Sequence, residues 1–367
     1  MTEALILDAV RTPIGRKGGV LAHYRSDDLA AEVLKALVTR NEIQSDQIED
    51  VILGCVTQIG EQGVNVARNA VLASDFPVTV PGTTINRLCG SGLQACNFAA
   101  QAVQSGHHTL VIGGGTESMS RVTMGSDAGA FSEQIQERFD LVNQGIAAEF
   151  VAKKYQLSRE EIDQFSFESH QKAIAAGFSK EILPIDGVTR DEGPRADTSL
   201  EKIASLKPAF DENGVITAAN SSQISDGAAA LLIASSDGAR QMEKKPRARF
   251  VSTAVTGVDP TLMLTGPISS TQLALQKAGL KKDDIDIFEC NEAFAPVVLA
   301  WLKETGVDPK RVNVNGGAVA LGHPLGATGA RLLVTALHEL EKRNEKRALV
   351  TLCIGLGQGM ATIIERI

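Results

Sequence analysis

The chain has 367 residues, 43% hydrophobic and 22% charged, which is enough for a large core spread over two or three structural units. A formal charge of −8 argues against general binding to nucleic acid or an anionic membrane, while leaving room for a local basic patch facing an anionic ligand. Aromatic residues are scarce at 4% and glycines number 34, so small side chains must pack closely and turns must be frequent.

The N-terminal "MTEALILDAVRTP" enters a strand pattern with no basic-then-apolar leader, and "ALILDAV" reads as a buried strand. Residues 28–40 form an amphipathic helical pattern opened by Asp27 or Asp28. "QIEDVILGCV" approaches a strand, 92–105 reads as a helix, and "HTLVIGGGTES" as a buried strand ending in glycines. From 119 to 221 the composition turns richer in charge and glutamine. "GIAAEFVAKKYQLSREEIDQFSFESHQKAIAAG" is helical, with Ser158 opening a capping box closed by Glu161. "GVTRDEGPRADTSLEKIASLKPAF" is loop-like. This region reads as an insertion, either a lid or binding subdomain or a plain surface elaboration.

The remainder repeats the beginning. "VLKALVTRNEIQSDQIEDVILGCV" is echoed by "TQLALQKAGLKKDDIDIFECNEAF", with Ile43 or Leu280 after the helix and Asp46 or Asp283 three residues later. "LCGSG" followed by helix, strand and glycines is echoed by "LGATG" and "RALVTLCIG". The period indicates two similar α/β halves, each a sheet covered by helices. No apolar run reaches membrane-spanning length, and "IIERI" carries no address signal.

Cysteines at 55, 89, 96, 290 and 353 show no CxxC pair and no Cys/His zinc spacing, so free thiols in a reducing, cytoplasmic setting are expected, with no disulfide framework and no metal. Cys55, Cys96 and Cys290 sit in apolar strand or helix contexts and read as core. Cys89, in "NRLCGSG", falls where a strand gives way to a helix, whose positive end favours a thiolate. The helix alone shifts the thiol by under one pKa unit, so a partner base is needed, and a buried structural cysteine is the other reading. His323, in the glycine- and proline-broken loop "LGHPLGATG", is the candidate partner, or else a loop histidine bonding a carbonyl. His23, His107, His108, His170 and His338 lack such framing and read as solvated or packed. Cys353 ends an apolar strand before "IGLGQG", where strand ends gather active sites and glycines let N–H groups approach a ligand oxygen. Asn291 could orient a water or donate to an oxyanion, or with Glu292 could cap the helix "AFAPVVLAWL". The triple glycine 113–115 is weak evidence for phosphate binding, and no dinucleotide GxGxxG opens a helix after the first strand.

Taken together, "NRLCGSG", "NEAFA", "NGGAVALGHPLGATG" and "CIGLGQG" resemble the thiolases, the acetyl-CoA acyltransferase family. The likeness runs from "DAVRTPIGRKGG" through "TAANSSQISDGAAALL" and "GVDP" to "CIGLGQGMA". The resemblance implies an α/β, five-layered αβαβα fold of two similar halves. These would be residues 1–118 plus 222–245 and residues 246–367, with an inserted loop domain at 119–221 that binds substrate and coenzyme A. It implies that Cys89 is acylated, that His323 takes its proton and helps form an oxyanion hole, and that Cys353 is the acid/base for the alpha proton. Asn291 would hold a water in the first oxyanion hole, and the N–H groups of Cys89 and Gly355 would form the second. Ser222 would contact coenzyme A, with Met263 and Phe294 lining the substrate site.

The implied reaction is thiolytic cleavage of a 3-ketoacyl-CoA by coenzyme A, which is a substrate, with no metal or prosthetic group. The assembly would be a homodimer or homotetramer, binding acyl-CoA and coenzyme A but neither nucleic acid nor a membrane span. Alternatives are a biosynthetic acetoacetyl-CoA thiolase, a decarboxylating ketoacyl synthase and a non-catalytic acyl-CoA-binding protein. Two departures stand out. Asn143-Gln144 replaces a His-Met pair of acetoacetyl-specific members, which favours a degradative enzyme tolerant of larger acyl groups. Leu356 replaces a glycine, where a left-handed φ would strain a leucine, so a different loop is expected. Arg190, Lys202 and Lys207 could offset nucleotide phosphates or simply be solvated.

Overall fold

The computed structural model describes residues 2–367. Its strands are β1 (Leu5–Arg11), β2 (Gly15–Arg16), β3 (Asp50–Gly54), β4 (Thr83–Ile85), β5 (Leu110–Ser118), β6 (Ser225–Ala234), β7 (Ala248–Gly257), β8 (Ile287–Cys290), β9 (Arg347–Ile354) and β10 (Gln358–Arg366). In space they run β4-β3-β5-β6-β1-β7-β10-β9-β8, with β2 paired to β6. The order is a near-palindrome. β3 is parallel to β5, which is antiparallel to β6, which is antiparallel to β1. β8, β9, β10 and β7 repeat the same relations in the second half. The halves meet where Leu5 pairs with Arg249 and Ile6 with Ala248, so the two sheets join edge to edge.

Strand alternation explains the layers. In β1, Ala4 and Ile6 face a central core while Leu5 and Leu7 face an outer one. The central core also holds Leu93, Ala95, Leu332, Leu333, Ala348 and Val350, so the helices Ser91–Gln104 and Leu325–Arg343 lie sandwiched between the halves. The outer face of the first half is covered by Ser26–Asn41, and that of the second by Gly266–Ala278 and Ala295–Thr305. Helix, sheet, helices, sheet, helix make five layers. β5 and β6 are buried at every position, which is why they read as unbroken apolar or small-residue runs.

The region between β5 and β6 contains helices Gln144–Lys154 and Arg159–Ala175, the second opened by the Ser158–Glu161 capping box. A buried guanidinium anchors this region. Arg11 of β1 bonds Glu181 at 2.6 Å and Asp191 at 2.6 and 2.9 Å. One sequence expectation is corrected at the first helix. It begins at Ser26 with Arg25 in the cap position, and Asp27 lies in the first turn, ion-paired to Arg25 at 2.8 Å.

The two central helices touch backbone to backbone. A Cβ on Gly92 would meet the Gly326 carbonyl oxygen at 2.5 Å, and one on Gly329 would meet the Leu93 backbone nitrogen. Neither neighbour is a flexible side-chain end. Gly92→Ala or Gly329→Ala should therefore lower stability by about 1–3 kcal/mol through overpacking, read as a drop in the urea midpoint. Gly257→Ala, where a Cβ meets nothing, is the control and should leave the midpoint within error.

Candidate active site

Cys89 and His323 occupy equivalent places in the two halves. Cys89 stands two residues ahead of Ser91–Gln104, and His323 two residues ahead of Leu325–Arg343. The backbone contacts between these helices bring their N-terminal ends together. Glu117, at the end of β5, fastens the junction by accepting from Val56 N at 2.9 Å, Thr57 N at 3.1 Å, Gln62 Nε2 at 2.7 Å and Gly326 N at 2.8 Å. Asn291 follows β8 directly, and Cys353 and Gly355 lie at the end of β9, so neighbouring strand ends deliver them to the same place.

His323 is buried and held from three sides. Its backbone N–H donates to Gln223 O at 3.1 Å. Its Nδ1 lies 2.6 Å from Thr328 Oγ1, and the single hydroxyl proton of Thr328 is directed to Pro324 O at 2.8 Å. With that proton committed, Thr328 can only accept, so Nδ1 carries the hydrogen and Nε2 keeps a lone pair. Asn291 Nδ2 lies 3.3 Å from this Nε2. Asn291 Oδ1 has no partner among the described residues, although the residue is buried.

Cys89 and Cys353 are both buried, and Cys89 lies close enough for its charge to act on Cys353. Burial dominates at Cys89 and pushes the thiol up to about 11, opposed by hydrogen bonding from the N–H of Gly355 and of Cys89 itself and from the Gln144 amide. Burial likewise pushes the Cys353 thiol up, with Cys89 adding to it. Burial, and then the positive charge of Arg331, drive His323 down to about 3. The helix end does not produce a resting thiolate, as its small expected contribution implied, and burial moves the thiol further from ionisation. The desolvation cost exceeds what a helix terminus returns, and the pair rests as neutral thiol and neutral imidazole.

The substrate-side residues gather beside these groups. Met263, Phe294 and Cys353 share one apolar cluster with Ala147, Ala148 and Val151. Phe294 packs edge-on to Phe210, and Ser222 N donates to Ala293 O at 3.0 Å. Gln223, bound to His323, also lines a 270 Å³ cavity with Arg195, Lys202, Leu206 and Ala219. Of the three cations singled out from the sequence, only Lys202 lines this cavity. Arg190 lines a separate 610 Å³ cavity that includes none of the site residues, and Lys207 lines neither. Arg195 was not foreseen, since "PRADT" carries no local signal beyond its loop character. Thr328 was also missed, although a hydroxyl one turn inside a helix that starts at a histidine loop is a readable cue.

Three further expectations change. Asn291 and Glu292 do not cap the next helix, which begins at Ala295 behind Phe294. Glu292 is instead buried, accepting from Ser169 Oγ at 2.7 Å, Asn313 Nδ2 at 2.9 Å and Val319 N at 3.1 Å. The loop after Cys353 does not rearrange around its leucine. Leu356 takes the left-handed conformation itself, at φ 61°, and bears the strain. Cys55, read as plain core, has its sulfur 3.8 Å from Glu117 Oε1 and belongs to the polar junction.

A buried thiol and a buried imidazole at the adjoining ends of two central helices, a second thiol close by and N–H groups directed at the first sulfur are the parts that acyl transfer through a cysteine calls for. The thiolase N-terminal domain matches residues 4–237 and the thiolase C-terminal domain residues 244–366. The chain belongs to the thiolase family. It is 48% identical to the 3-oxoadipyl-CoA/3-oxo-5,6-dehydrosuberyl-CoA thiolase of Escherichia coli K12, with all of both chains covered. It is 46% identical to a steroid 3-ketoacyl-CoA thiolase of Mycobacterium tuberculosis, covering all of this chain and 95% of that one. The crystal structure of the Bacillus anthracis acetyl-CoA acetyltransferase superposes with a TM-score of 0.93 at 38% identity, covering 100% of this chain and 99% of that one. Among the described residues no helix is long and apolar enough to cross a membrane.

The neutral pair has a consequence for pH. Because the folded pKa of His323 lies below its unfolded value, the unfolded chain binds a proton that the native one refuses. Stability from this residue is complete above about pH 6.5 and is lost as pH falls toward 3. His323→Gln should flatten that part of the acid limb in urea titrations. In the wild type, kcat/KM should be level from about pH 5 to about pH 9, without the inflection near 6.5 of an ordinary histidine.

Proposed function

We propose that this chain is a degradative 3-ketoacyl-CoA thiolase. Cys89 Sγ adds to the 3-keto carbon while His323 Nε2 takes its proton, and the keto oxygen becomes an alkoxide. Collapse breaks the bond between the second and third carbons, leaving the acyl group on sulfur and releasing acetyl-CoA as its enolate. Cys353 supplies the proton that converts this enolate to acetyl-CoA. Coenzyme A then donates its thiol proton to Cys353 and adds to the acyl-cysteine, and Cys89 leaves, taking back the proton held on His323. Asn291 and His323 serve one oxyanion, and the N–H groups of Cys89 and Gly355 the other. Coenzyme A enters as a substrate, and no prosthetic group takes part. The 270 Å³ cavity with Arg195 and Lys202 suits its phosphate-bearing arm.

The observation that carries this reading is the fixed tautomer. Thr328 commits Nδ1 to donation, which leaves Nε2 as the acceptor a thiol needs, next to Asn291. A raised thiol at Cys353 suits an acid that must hold its proton until a carbanion forms. The small residues Ala147 and Ala148 beside Met263 and Phe294 favour acyl groups larger than acetyl, and several relatives carry names with larger acyl groups.

Cys353→Ala should still accept an acetyl group from acetyl-CoA onto Cys89, seen as a mass shift, yet lose about 10²–10⁴-fold in cleavage of 3-ketoacyl-CoA. Full retained activity would favour the decarboxylating synthase. Across a substrate series, kcat/KM for chains longer than acetoacetyl-CoA should equal or exceed that for acetoacetyl-CoA. Collapse beyond the shortest substrate would point to the acetoacetyl-specific, biosynthetic reading.

A further inference from the structure

The Asn143-Gln144 pair divides into two unlike tasks. Asn143 is the cap of helix Gln144–Lys154, accepting from Gly145 N at 2.8 Å, and lies exposed. Gln144 points the other way. Its amide, like the N–H of Gly355, opposes the burial that raises the Cys89 thiol. Its Nε2 lies 3.2 Å from where a Cβ on Gly355 would sit, with Leu88 Cδ1 at 3.0 Å from the same point. An amide nitrogen from the inserted region thus stands against Gly355, next to Cys89.

We propose that Gln144 is a further catalytic residue, its Nε2–H a third donor to the oxyanion that forms on the acyl group carried by Cys89. The inference rests on the thiolase reading above. When coenzyme A adds to the acyl-cysteine, the carbonyl electron pair moves onto oxygen, and it returns as the carbon–Sγ bond breaks. The N–H groups of Cys89 and Gly355 are fixed backbone donors. Gln144 adds a side-chain donor from a separate element, so this hole is complete only when helix Gln144–Lys154 is docked on the apolar cluster around Cys353 and Phe294. In a buried site such a donor counts in the transition state more than in the ground state.

The test compares wild type, Gln144→Met, which keeps the length and removes the donor, and Gln144→Glu, which keeps the shape and replaces the donor with an acid. Thiolysis of 3-ketohexanoyl-CoA is followed from pH 5 to 9, with thermal midpoints as a folding check. Wild-type turnover comes first, and its absence would sink the thiolase reading itself. With wild type active, Gln144→Met should lose about 10²–10³-fold in kcat with KM changed by less than about threefold, since one oxyanion donor carries an effect of that order. Gln144→Glu should be slower than Gln144→Met at pH 8, where its carboxylate repels the oxyanion, and should recover as pH falls and the carboxyl regains a proton. A kcat equal to wild type in either variant, a loss confined to KM, or no pH-dependent gap between the two overturns the proposal while leaving the thiolase reading standing. Should Gln144→Met misfold, the pH response of Gln144→Glu decides alone.

Discussion

The site depends on one contact: two helices meeting end to end in the middle of the molecule with nothing but backbone between them. Gly92 against the Gly326 carbonyl, and Gly329 against Leu93, allow an approach that a methyl group would prevent. Cys89 and His323 each stand two residues upstream of these helices, so their separation follows from helix packing and not from loop conformation. Glu117 ties the loop after β3 to the start of the second helix, accepting from Val56, Thr57 and Gln62 on one side and from Gly326 on the other. The duplicated sheets serve this contact by enclosing it from both sides.

Burial sets the electrostatics around that contact. Glu292 joins the inserted helix Arg159–Ala175 to the histidine loop through Ser169 and Val319. Behind them Glu289 and Arg331 face each other at 3.7 Å, both out of solvent. Glu289 is pushed up to about 8 by burial, against the pull of Arg331. That arginine is also the charge that disfavours a proton on His323. A cation deep in the second half therefore helps keep the base free to accept.

Much of this architecture was legible from residue order. The repeated helix–strand spacing around Asp46 and Asp283 led to two halves, and the strands do pair in the same relations twice. The glycine-framed Cys89, His323 and Cys353 stood out because reactive groups in tight turns break the apolar pattern. What stayed hidden depends on distance in space. Nothing in "TES" marks Glu117 as the clasp between helices, and nothing in "PRADT" marks Arg195 as a cavity wall. The opposition to ionisation at Cys89 was hidden for the same reason: a helix end is visible in sequence, whereas the desolvation that outweighs it is set by residues far along the chain. Leu356 shows the converse, with tertiary context holding a leucine where local preference asks for glycine.

The protonated resting sulfur has a bearing on how the molecule survives between turnovers. Peroxides and alkylating agents consume the anionic form of cysteine, not the protonated one. With burial pushing its thiol up to about 11, Cys89 offers such scavengers little anion at neutral pH. Withholding ionisation until the right carbon arrives is thereby a form of chemical self-preservation, obtained from the same dry surroundings that make the reaction selective.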